Sequence, residues 1–72
     1  MGDKKKGSVE GARMRRLRLR AQLTQEGLAR RVGVTVQTIW RLENAPTFSP
    51  RIQTLRAIAK ELGVDVSYFL KD

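Results

Sequence analysis

The sequence predicts an all-α fold, a compact bundle of five short helices, and three observations lead there. Apolar residues recur at spacings of three and four in successive short stretches. Thr24, Thr35, Ser49 and Asp65 stand as caps before four of those stretches, and Gly33 and Gly63 follow two of them. With 72 residues and no cysteine, the chain has room for one small domain held by a close-packed core.

Residues 1–11 hold three glycines, three lysines and almost nothing to bury, so they are expected to form a flexible basic tail ahead of a domain at 12–72. Helix 1 is expected over about Gly11 to Gln22. Its Arg13-to-Ala21 stretch has the alternation of a strand, but Met14, Leu17 and Ala21 fit a helical face and no β-branched residue interrupts it. Thr24 caps helix 2, whose face is Leu28, Ala29 and Val32 and whose stop is Gly33. Gly27 within it costs about 1 kcal/mol against alanine, so it either admits a close neighbour or is a tolerated weakness.

Thr35 caps helix 3, which buries Ile39 and Leu42 and ends near Asn44. A tight Gly-containing turn of three residues between two short amphipathic helices is the helix-turn-helix signature. After a loop at 45–48, Ser49 as cap and Pro50 as first helical residue open helix 4, with Ile52, Leu55, Ile58, Ala59 and Leu62 as its stripe and Gly63 as its stop. Asp65 caps a last short helix carrying Val66, Phe69 and Leu70.

Charge narrows the partner. Fifteen Lys and Arg against seven Asp and Glu leave a net charge of +8, and ten of the fifteen cations fall within the first 31 residues. Ten are arginines, whose forked donors suit phosphates and guanine edges, so nucleic acid leads over an acidic protein or an anionic membrane. The tail keeps three open roles: an inert end, a basic arm along DNA, or a solubilising segment. With no histidine, no cysteine and no carboxylate pair set apart from solvated helix faces, the sequence points away from an enzyme. No metal, cofactor or small-molecule ligand is expected. The chain lacks an apolar run long enough for a membrane span or signal peptide, and a soluble, cytoplasmic protein is expected.

At about 100° per residue, helix 3 places Thr35, Thr38, Ile39 and Leu42 on one arc and Val36, Gln37, Trp40, Arg41 and Asn44 on the other. The second arc suits the major groove. Gln37 can donate to and accept from a base edge, Arg41 can fork onto guanine or a phosphate, and Val36 can touch a thymine methyl. Trp40 has two open roles, DNA contact or packing at a helix edge or protein interface.

From Ala12 to Leu70, about four fifths of the chain, the sequence resembles the Cro and phage-repressor (Xre) helix-turn-helix family, with a lambda-repressor-like DNA-binding fold. Within that family it is most like the phage 434 repressor type. The likeness rests on Thr24-Gln25-Glu26-Gly27-Leu28-Ala29, Val32-Gly33-Val34-Thr35, Ile39-Trp40-Arg41-Leu42-Glu43-Asn44 and Leu55-Arg56-Ala57-Ile58-Ala59-Lys60-Glu61-Leu62-Gly63-Val64.

The resemblance implies sequence-specific double-stranded DNA binding by a transcriptional regulator, a repressor foremost, as a possible homodimer on a two-fold operator. It implies base contacts from Val36, Gln37, Trp40 and Arg41, and phosphate contacts from Gln25, Thr35, Asn44, Arg18 and Arg51. It also implies a structural pair of Arg18 and Glu43. Val36 stands where the 434 type has a second glutamine, so the operator should differ. The family usually has glycine after the Glu-Asn that ends helix 3. Here Ala45 and Pro46 follow, so the loop is expected to run differently around its possible phosphate donors Asn44, Thr47, Ser49 and Arg51. A protein-interaction module on the same fold, such as an antitoxin or coactivator-like domain, is the alternative.

Overall fold

The computed structural model describes residues 9–45 and 47–70, and within them every regular element is helical. Four α-helices, α1 (Gly11–Arg20), α2 (Gln25–Val32), α3 (Val36–Asn44) and α4 (Ile52–Leu62), are followed by one 3-10 helix, Val66–Phe69. The expected fifth α-helix is thus a single tighter turn. Asp65 caps it by accepting from the Ser67 amide at 2.9 Å, and Phe69 is fully buried beneath it. Leu70 is already extended at ψ 140°, so the four residues between it and the Asp65 cap close only a 3-10 turn.

Each helix buries the stripe its spacing provides. Met14 comes from α1, Leu28 and Ala29 from α2, Ile39 and Leu42 from α3, and Leu55, Ile58 and Ala59 from α4. Leu17, Val32 and Leu62 pack around this core. Ala21, expected on the buried face of helix 1, is exposed, because the helix stops at Arg20. Gln22 adopts the left-handed conformation at φ 62°, its amide donates to Leu19 O at 2.9 Å and the Leu23 amide donates to Arg18 O at 3.1 Å. That is a Schellman closure with glutamine where glycine is usual. Gly33 and Gly63 occupy the same left-handed position after α2 and α4.

Two boundaries move. The expected tail at 1–11 gives up its last three residues to the fold: Val9 is buried and bridges Leu70, the Glu10 amide donates to Phe69 O at 2.6 Å, and Gly11 opens α1. A Cβ on Gly11 would lie 2.6 Å from Glu43 O and 2.7 Å from Leu42 O, so only glycine lets α1 come this close to the end of α3. Residues 1–8 lie outside the described residues. Helix 4 starts at Ile52, not Pro50, with Arg51 extended at ψ 146° as its N-cap and no side-chain cap. Arg51, Ile52 and Gln53 are exposed and Leu55 is the first buried residue, so an extra turn would bury nothing.

Candidate nucleic-acid interface

The helix-turn-helix is built from its caps. Thr24 Oγ1 accepts from the Gly27 amide at 2.9 Å, and Gly33 turns the chain out of α2. Thr35 Oγ1 then accepts from the Thr38 amide at 3.2 Å and meets Thr38 Oγ1 at 3.1 Å. The space at Gly27 is taken by this first cap, since a Cβ there would sit 3.1 Å from Thr24 Oγ1.

Packing of Ile39 and Leu42 into the core fixes the rotation of α3, and the opposite face is open. Gln37, Arg41 and Asn44 are exposed on it, as are Val36 at 41% and Trp40 at 52% of their free surface. The structure therefore brings together all four residues expected at base edges, on one side of two and a half turns. The Arg41 guanidinium lies 5.8 Å from the centre of the Phe48 ring, a cation–π contact that holds the arginine at the C-terminal end of this face.

Behind the face lies a charged network. Arg18 Nε donates to Glu43 Oε2 at 2.6 Å and a second guanidinium nitrogen donates to Glu43 Oε1 at 3.0 Å, with the two side chains only 8% and 1% exposed. The third nitrogen donates to Leu23 O at 2.9 Å. Gln25 Nε2 donates to Glu43 Oε1 at 3.1 Å. Glu43 thus joins α1, the start of α2 and the end of α3, and each buried polar side-chain atom among the described residues has a partner.

The phosphate set divides on these contacts. Arg18 holds the structural pair expected with Glu43: each guanidinium nitrogen donates once inside the protein and the residue is buried, which leaves two of its five N–H groups for a phosphate contact made with the pair intact. Gln25 is half-buried with one amide hydrogen held by Glu43 and the other available, at the N-terminus of α2. The Thr35 hydroxyl is engaged as a cap, and Asn44 Nδ2 turns back to donate to Trp40 O at 3.0 Å. Arg51 is exposed before α4. Ala45 leaves α3 extended at φ −109°, ψ 98°, as the residue before a proline must, so the exit uses no left-handed residue. The Arg41–Phe48 contact was not read from the sequence; only the spacing of a basic residue and an aromatic across the turn hinted at it.

A helix-turn-helix family model matches residues 14–69. The chain belongs to this family. Among solved structures it is similar to the P22 c2 repressor protein in complex with a synthetic operator, with 31% identity and a TM-score of 0.78 over 85% of this chain and 91% of that one. It is also similar to the P22 c2 repressor DNA-binding domain in solution, with 26% identity and a TM-score of 0.74 over 89% of this chain and 83% of that one. The helix-turn-helix family placement thus agrees with the resemblance to phage repressors. No helix among the described residues is long and apolar enough to cross a membrane.

Proposed function

We propose that this helix-turn-helix protein is a sequence-specific double-stranded DNA-binding transcriptional regulator, a repressor foremost, that inserts α3 into the major groove. One observation carries the reading. α3 turns Val36, Gln37, Trp40 and Arg41 outward together while a buried ion pair and two caps fix its position. Gln37 and Arg41 supply the hydrogen-bonding edges, Val36 and Trp40 the apolar contacts, and Gln25 and Arg51, with Thr35 and Asn44 at either end of α3, the backbone contacts that set register. It acts as a binding module in the cytoplasm, not as an enzyme. A pair of copies on a two-fold operator, with half-sites about one helical turn apart, supplies affinity that one short helix cannot.

Selection from random duplexes tests this and reports operator and spacing together. Gln37→Ala is expected to relax preference at one base position at a cost of roughly 1 to 3 kcal/mol there. Unchanged selectivity removes Gln37 from the reading set, and absence of any preferred duplex favours a protein-interaction module. Sedimentation with and without a palindromic duplex reads the dimer.

A further inference from the structure

We infer that the outward face of α1 is a docking surface for an acidic amphipathic helix of a partner protein, with Leu19 as its apolar anchor and Arg15, Arg16 and Arg20 as its charged rim. The surface shares no residue with the open face of α3.

The inward side of α1 is fixed by its contacts. Met14 and Arg18 are buried, Arg18 reaches Glu43, and Gly11 lies against the backbone of Leu42 and Glu43. On the flank, Arg13 donates to Tyr68 O at 2.9 Å and lies over the Tyr68 ring. At about 100° per residue, Ala12, Arg15, Arg16, Leu19 and Arg20 fall on the remaining side. All five are exposed, Leu19 at 53%. The helix holds no Asp or Glu. The two ion pairs among the described residues, Arg18 with Glu43 and Arg31 with Glu61, leave out Arg15, Arg16 and Arg20.

Two features set this face apart from an ordinary solvated one. Leu19 lies one turn beyond Arg15 and Arg16, so their methylene stems flank it and extend its apolar surface while the guanidinium groups stand at the edge. An apolar centre inside an arginine rim is the composition of a protein contact. Arg16 and Arg20 are also one turn apart, and like charges at that spacing oppose the helix that carries them. Carboxylates from a partner remove this repulsion, and an apolar side chain between them covers Leu19. The occupant is therefore a helix with acidic residues around an apolar one. A bilayer surface gains little from a single leucine, and phosphates answer the arginines but leave Leu19 in water. A helix of ten residues is about 15 Å long, a patch that suits a weak, transient contact. Because α1 meets the end of α3 through its opposite side, a duplex held by α3 leaves the face open, and partner and DNA bind together. This last step rests on the DNA-reading role of α3 proposed above.

The probe is a synthetic helical peptide with leucines along one face and glutamates flanking them, titrated into the full chain and followed by backbone amide shifts. The shifts are expected to centre on Arg15, Arg16, Leu19 and Arg20. Leu19→Ser should weaken binding about fivefold, the equivalent of its exposed surface left uncovered. Arg15→Gln together with Arg16→Gln should weaken it by a similar factor and flatten its dependence on salt. None of the three side chains is buried, so unchanged thermal melts show that the variants are folded. Peptides with glutamine for glutamate, or serine for leucine, should lose the site. Shifts scattered over all the cations, or equal binding by Leu19→Ser, overturn the inference, because net charge alone then attracts the peptide. Stronger Leu19-dependent binding to vesicles of phosphatidylserine and phosphatidylcholine assigns the face to lipid and overturns it. An equal loss of random-duplex affinity in the double arginine variant assigns it to nucleic acid and does the same. With a duplex already bound, the peptide should bind as before, and displacement of the duplex places the peptide on α3 and overturns the inference. If the protein binds no duplex at all, the DNA-reading proposal fails, while peptide binding centred on Leu19 keeps this surface.

Discussion

Glu43 accepts from Arg18 twice and from Gln25 once, with its own side chain 1% exposed. A carboxylate so enclosed loses its hydration, and only these donors return it, so the pair is weak as a source of stability and strong as a constraint on geometry. Glu43→Gln is expected to cost about 3 to 5 kcal/mol in denaturant titration, because it leaves the Arg18 charge buried without a counter-ion. Such a loss is a large part of the stability a domain of this size has. Replacing both partners, with Arg18→Met and Glu43→Leu, should recover most of that loss, since two apolar side chains need no counter-ion. A single substitution costing under about 1 kcal/mol, as exposed pairs do, would show that water reaches the pair. The double variant also loosens Gln25, so weaker DNA binding by a well-folded double variant would assign the network to positioning.

At the scale of the element, the ends of the helices decide how much of the fold could be read. α2 and the start of α3 were legible because threonine caps and Gly33 mark them locally. The end of α1 was not, because its left-handed closing residue is Gln22, a residue that elsewhere continues a helix. Ser49 and Pro50 are a sound start signal that packing overrides, since α4 begins only one turn before its first buried residue. Gln22→Gly should raise stability by about 0.5 to 1 kcal/mol, the left-handed penalty removed less the entropy added to the unfolded chain, measurable by thermal melting. A loss of stability would mean that the Gln22 side chain contributes an interaction of its own. The last turn carries a pH signature. Hydrogen bonds from the Ser67 hydroxyl and amide hold the Asp65 carboxyl below its ordinary value. A depressed folded value contributes stability that is present above the unfolded value of about 3.9 and lost as pH falls through the lower folded value. Asp65→Asn should therefore flatten the acid end of the stability curve, and an unchanged acid limb would show that the cap contributes nothing to folding.

Over the whole molecule, the two ends of the described chain meet, with Val9 bridging Leu70 and the Glu10 amide bonded to Phe69 O. This closure was not legible, because one valine within a glycine- and lysine-rich segment carries no periodic signal and its partner lies some sixty residues away. The open face of α3 was legible, because Ile39 and Leu42 fix its phase whatever packs on them. The pair of Arg18 with Glu43 came from the resemblance, but the burial of Arg18 was not legible in its chemistry, which suits a phosphate and a buried carboxylate equally. The same distinction governs how affinity should respond to salt. A net charge of +8 attracts any duplex, so charge raises affinity for all sequences, and discrimination must come from the face of α3. A plot of log affinity against log salt should therefore be steep, with a slope of about −0.9 for each phosphate neutralised. Arg51→Ala, which removes an exposed cation, should reduce that slope by about 1 and weaken operator and random duplex alike. Gln37→Ala should instead lower the operator line at constant slope and leave the random-duplex line where it was. If both variants shift the slope together, base reading and backbone contact are not separable in this protein, and Gln37 belongs with the phosphate-binding residues.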